Sequence, residues 1–113
     1  MPKKNLLNLN PLQLKTLTLL QEIARHPELS SRVEGDGEVL ITNLPRPHGD
    51  HFHIGARVVM TRDASGFGNP SVWAALERKG LIRGSFPAAL TLTPAGLGYD
   101  TGLRDAILHG SDH

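Results

Sequence analysis

Apolar and polar positions repeat with two different periods along this chain. Between residues 11 and 26, Leu12, Leu17, Leu19, Leu20, Ile23 and Ala24 make a broad apolar face. Lys15, Thr18, Glu22 and Arg25 recur at spacings of three and four as its polar stripe. Asn10-Pro11-Leu12-Gln13 opens the segment with a capping residue, a proline at the first helical position and a glutamine able to reach back to the cap. The pattern predicts a helix ending at about His26, because Pro27 has no N–H to donate and disfavours helical geometry in the residue before it. The apolar face is wider than a small core needs. Core burial accounts for it, and a homodimer contact through this first helix is the sharper alternative.

Residues 28–38 are polar and acidic around the turn signal Gly35-Asp36-Gly37 and read as a loop. Residues 38–44 (EVLITNL) are rich in β-branched side chains and read as a strand, which Pro45 and Pro47 end. The period then becomes two. Phe52, Ile54, Ala56, Val58 and Met60 alternate strictly with their neighbours, which predicts a second strand that pairs with the first as a hairpin across residues 45–50.

Residues 63–68 (DASGFG) are a breaker cluster, and Asn69-Pro70 caps a second helix over residues 70–79. Val72, Trp73 and Leu76 should face inward, with Ser71, Ala75 and Arg78 outward. Gly80 stands where a left-handed residue ends the helix, and Leu81 supplies the apolar contact of such a cap. Residues 81–83 and 90–93 read as the strands of a compact hairpin around the Gly/Pro turn 84–88. Thr93-Pro94 can cap a helical turn, although Gly96, Gly98 and Gly102 each weaken it by about 1 kcal/mol relative to Ala. Thr101 can cap a last short helix carrying Leu103, Ala106, Ile107 and Leu108, closed by Gly110. The order of elements predicts one α+β domain over residues 1–113, with 1–9 and 110–113 as flexible ends.

Two segments carry a resemblance. Ser71-Val72-Trp73-Ala74-Ala75-Leu76-Glu77-Arg78-Lys79-Gly80-Leu81-Ile82-Arg83, followed after a short turn by Leu90-Thr91-Leu92-Thr93-Pro94-Ala95-Gly96, resembles the recognition helix and wing of winged helix-turn-helix regulators, over residues 70–97. The resemblance implies a winged-helix-like domain with an additional β-hairpin, acting as a small DNA-binding or transcription-associated protein. By position it implies that Ser71, Ala75, Arg78 and Lys79 on the helix, and Arg83, Ser85 and Phe86 in the wing, meet double-stranded DNA. The arginines would take phosphates or base edges, and Ser71 with the helix start would take a phosphate. The alternative is a protein-interaction module of the same fold without DNA binding, for which Phe67 and Phe86 in Gly-rich turns are candidate interface aromatics.

Composition narrows the chemistry. The 113 residues have a formal net charge of +1, six histidines and no cysteine. Disulfides, thiolate metal sites and a cysteine nucleophile are therefore excluded. The small net charge argues against coating nucleic acid by bulk charge, yet residues 57–83 hold five basic and two acidic side chains, which permits a local basic face. No apolar run is long enough to span a membrane and the first residues lack a secretory pattern, so the expected setting is cytoplasmic. No nucleophile elbow, P-loop or dinucleotide fingerprint is present, and no enzymatic reaction is indicated. The one chemical-looking cluster is His48-Gly49-Asp50-His51-Phe52-His53. On a strand His51 and His53 share a face, and His48 or Asp50 can join them as ligands for zinc or a similar ion; an exposed polar edge is the plainer account.

Overall fold

The computed structural model describes residues 7–33, 37–42, 44, 49–55, 57–86 and 89–109, with only the backbone for Arg32, Val33 and Ser85. The elements run α1 (Pro11–Ala24), β1 (Ser31–Val33), β2 (Glu38–Ile41), β3 (His51–Ile54) and β4 (Arg57–Met60). A 3-10 helix (Thr61–Gly68), α2 (Pro70–Arg78), β5 (Ile82–Ser85), β6 (Ala89–Leu92), α3 (Pro94–Gly98) and α4 (Arg104–Ile107) follow. The arrangement is α+β, with a four-stranded antiparallel sheet in the order β1-β2-β6-β5 and a separate β3–β4 hairpin.

Local chemistry fixes the two long helices. Asn10 Oδ1 accepts the Gln13 N–H at 2.8 Å while Gln13 Oε1 accepts the Asn10 N–H at 3.0 Å, a complete capping box ahead of Pro11. Asn69 caps α2 by a single bond, its Oδ1 accepting the Ser71 N–H ahead of the helix that opens at Pro70, and Gly80 takes the expected left-handed conformation after it. Leu17, Leu19, Leu20 and Ile23 of α1 are at most 1% exposed and belong to one contiguous core with Val39, Ile41, Leu90 and Leu92 of the sheet. Each such burial contributes about 1.5–3 kcal/mol. The chain covers this apolar face itself, so its width no longer argues for a second copy across α1.

The polar stripe expected on α1 is corrected. Thr18 and Glu22 are buried, at 2% and 3% exposure. The chain after β6 folds back over that side of the helix. Thr18 Oγ1 lies 2.6 Å from Thr101 Oγ1, and Gln21 Nε2 donates to the carbonyls of Gly96 and Tyr99 at 2.8 and 2.7 Å. Thr101 does not cap the last helix as expected: Leu103 occupies the cap of α4 with no side-chain bond. Residues 7–9, expected as part of a flexible end, are held. Leu9 is 4% exposed, Leu7 N–H donates to Tyr99 Oη at 3.1 Å, and Lys79 Nζ donates to the Leu7 carbonyl at 2.5 Å. Residues 1–6 and 110–113 lie outside the described residues.

The strand expectations change in three places. The segment 28–38 is not all loop, because residues 31–33 form β1 and pair with β2. Residues 52–60 are not one strand but the hairpin β3–β4, turning at Gly55, whose φ of +59° suits glycine. The expected pairing of 38–44 with 52–60 is also replaced: β2 pairs with β1 and β6. A two-residue turn puts Ile54 opposite Arg57 and Phe52 opposite Val59, so the inward parity shifts by one after the turn. Phe52, Ile54 and Val59 face the core, whereas Val58 and Met60 share the outer face with His53 and His51. Finally, the breaker cluster 63–68 lies inside the 3-10 helix. It sits so close to α1 that a Cβ on Gly66 would fall 1.8 Å from Thr16 Oγ1. Phe67 is buried at 8%, edge-on to Phe52 at 6.0 Å, and is no interface aromatic.

Candidate functional site

The exposed side of α2 and the β5–β6 wing hold the residues suggested by the resemblance, in uneven states. Ser71 is exposed at the helix start, but its N–H already donates to Asn69 Oδ1 at 2.9 Å. Ala75 is 4% exposed and faces the core, which removes it from any reading surface; Ala74 is the small residue that faces out. The misassignment follows from packing on both sides of α2, since Val72, Trp73 and Leu76 leave Ala75 on the broad inward arc. Arg78 is exposed. Lys79 is half-buried and engaged with the Leu7 carbonyl, and Arg83 is exposed but ion-paired with Glu38. The Ser85 side chain lies outside the described residues. Phe86 is 40% exposed, with its ring perpendicular to that of Trp73 at 4.9 Å. Trp73 is anchored in turn by Nε1 donating to the Phe67 carbonyl at 3.0 Å.

The local basic run is partly spent inside the fold. Of the cations in residues 57–83, Arg62 and Arg78 are exposed, Arg57 is half-buried, and Lys79 and Arg83 have the partners just named. Asp63 of the same run is neutralised by Lys15, with Nζ 2.9 Å from Oδ1. The exposed cations of this run are therefore Arg62, Arg78 on α2, and Arg83 on the wing, the last with its charge met by Glu38.

The histidine cluster lies on and before β3. His48 is outside the described residues. Asp50 and His53 are exposed and His51 half-buried, with Asp50 Oδ1 3.3 Å from His51 Nδ1. The His51 and His53 rings meet edge-to-face at 4.9 Å. Among the described residues no group of three His, Asp or Glu side chains could hold a metal ion.

A charged cluster missed from the sequence sits at the end of α1. Glu22, with its side chain 4% exposed, receives Arg104 Nε at 2.9 Å and Arg25 Nε at 3.6 Å on Oε1. His26 Nε2 is 3.6 Å from Oε2, and His26 Nδ1 is 3.4 Å from Glu28 Oε2. Burial pushes the Glu22 carboxyl up, but Arg104, through its hydrogen bond and charge, together with Arg25 and His26, outweighs burial and holds it below the ordinary carboxylate value. Glu22 raises Arg104 in return. A carboxylate held charged and enclosed in this way is an anchor for α4 rather than a proton-transfer group. Beside it opens a polar cavity of about 460 Å³ lined by Gln21, Arg25, Tyr99, Thr101, Arg104 and Asp105 among others. Nothing in the residues around Glu22 marks the cluster in advance, because Arg104 lies 82 positions away.

No helix among the described residues is long and apolar enough to cross a membrane. Comparison with known proteins finds no matching family model, no matching curated protein and no matching solved structure.

Proposed function

We propose that the chain is a winged-helix module that binds duplex DNA in a transcription-associated role. The observation that carries this reading is the succession 3-10 helix, turn at Asn69, α2, Gly80 and the antiparallel pair β5–β6. A helix-turn-helix requires a helical element just before its recognition helix, and residues 61–68 supply one packed against α1. On this reading α2 presents Ser71, Ala74 and Arg78 to the groove. Small residues let the helix approach closely, and Arg78 provides the strong contact. Arg83 on the wing is exposed and would exchange its pairing with Glu38 for a phosphate. Lys79 is committed to the Leu7 carbonyl and contributes to packing more than to the duplex.

Phe86 favours a second reading, a protein-docking wing, since it is the large apolar side chain exposed among the described residues. Amide spectra of the labelled chain titrated with a short duplex at low salt separate the two. DNA binding moves signals along 71–78 and 83–86 and is weakened by Arg78→Ala. Unchanged spectra overturn the DNA reading and leave the docking role of Phe86.

A further inference from the structure

We propose that the polar cavity between the end of α1 and residues 97–105 binds a small zwitterion of the α-amino acid class. Its carboxylate would lie on Arg25 and Arg104, and its ammonium on Asp105 and Gln21. The cavity, of about 460 Å³, has the size of a small-molecule site. Its walls come from α1, α3, α4 and the segment between the last two, and no described residue of α2 or the β5–β6 wing lines it. The assignment therefore stands apart from the duplex-binding reading. Glu22 gathers the two cations: Arg104 Nε donates to its Oε1 at 2.9 Å, and Arg25 Nε lies 3.6 Å from the same oxygen. Each arginine meets Glu22 through Nε, and the terminal nitrogens of both make no hydrogen bond among the described residues. Guanidinium groups left open in this way take a carboxylate through charge-assisted bonds. The Glu22 carboxylate balances one of the two positive charges, which leaves the other for a bound anion.

The same cavity holds acceptors for a cation. Asp100 and Asp105 line it, and Asp105 is exposed and makes no hydrogen bond or ion pair among the described residues. Arg104, whose pKa is raised by Glu22 above all, also feels the Asp105 charge, which places the two signs close together. Gln21 adds a neutral acceptor. Its Nε2 is spent on the Gly96 and Tyr99 carbonyls, at 2.8 and 2.7 Å, which fixes the amide and leaves Oε1 without a donor among the described residues. This mixture of signs selects the ligand. A simple anion is repelled by the two aspartates and a simple cation by the two arginines, whereas a molecule that carries both charges a few bonds apart meets both sets. Thr101, Gly98 and Gly102 complete a small and polar lining, which suits an amino acid with a small or polar side chain.

The test titrates the isotope-labelled full chain with glycine and each of the common polar α-amino acids in turn, beside sodium acetate and methylammonium chloride as single-charge controls. Backbone amide and arginine Nε–H signals report the outcome. At least one amino acid is expected to bind saturably at millimolar concentration or below. It should move the amide signals of Gly98, Thr101 and Gly102 and the Nε–H signals of Arg25 and Arg104, and neither control should reproduce the shifts. Arg25→Ala and Asp105→Asn should each weaken that binding about tenfold or more, the loss of one charge-assisted bond. Both side chains are exposed, so the spectra of the free variants should otherwise match the parent. Saturable shifts with none of the amino acids overturn the proposal. So does acetate binding as tight as that of the amino acid, which marks a plain anion site, or amino-acid binding that survives either substitution undiminished.

Discussion

Replacing Arg104 by Ala tests whether the Glu22 cluster holds the last helix onto α1. The substitution removes the 2.9 Å contact to Glu22 Oε1 and leaves a carboxylate 4% exposed, with Arg25 Nε and His26 Nε2 each 3.6 Å away. Stripping one partner from a fully buried pair costs about 3–5 kcal/mol. Arg104 is itself 39% exposed, and Arg25 remains nearby, so solvent screening reduces the expected loss to about 2 kcal/mol. The pH dependence is the sharper signature. The folded-state pKa of Glu22 is depressed, so its contribution is complete above the unfolded-state pKa and is lost as pH falls through the folded-state pKa. Burial is already the largest single influence on Glu22; without Arg104 it is opposed only by Arg25 and His26, and that pKa rises. Urea unfolding of both proteins should therefore show the full difference near neutral pH and little difference once Glu22 is protonated in both. A difference that is the same at both pH values refutes the assignment, as does a loss below about 0.5 kcal/mol at neutral pH, the size of an ordinary surface substitution.

Two further substitutions probe the elements that position the candidate surface. Gly66→Ala forces a Cβ to within 1.8 Å of Thr16 Oγ1 and should destabilise by about 1–3 kcal/mol in thermal or urea unfolding, with partial recovery in the Gly66→Ala, Thr16→Ala double variant. Asn10→Ala removes the cap acceptor for the Gln13 N–H and should cost about 1 kcal/mol by the same measurement, with amide exchange speeding up first in the opening turn of α1.

Elements set by contiguous chemistry were legible in the sequence. Asn10-Pro11 and Asn69-Pro70 fix helix starts through residues that touch one another, and Gly80 fixes an end. The hairpin at Gly55 was concealed because alternation looks continuous across a two-residue turn, even though the inward parity changes. The 3-10 helix was concealed for a related reason: Asp, Ser and Gly signal turns, and a 3-10 helix is a succession of i to i+3 turns. On the candidate surface helical periodicity places Ser71 and Arg78 outward, and the resemblance alone names Arg83, while the burial of Ala75 depends on neighbours from other elements. The pairing of Arg83 with Glu38 and the backbone bridge between Val58 and His109 are tertiary, and local pattern carries no trace of either.

The central claim is that α2 and the wing form a duplex-binding surface, and the salt dependence of duplex affinity tests it most directly. Log affinity measured by fluorescence anisotropy should fall linearly with log salt concentration. Arg78→Ala should reduce the slope by about 1, whereas Phe86→Ala should leave it unchanged. Affinity that is independent of salt, or a slope indifferent to Arg78, contradicts the account.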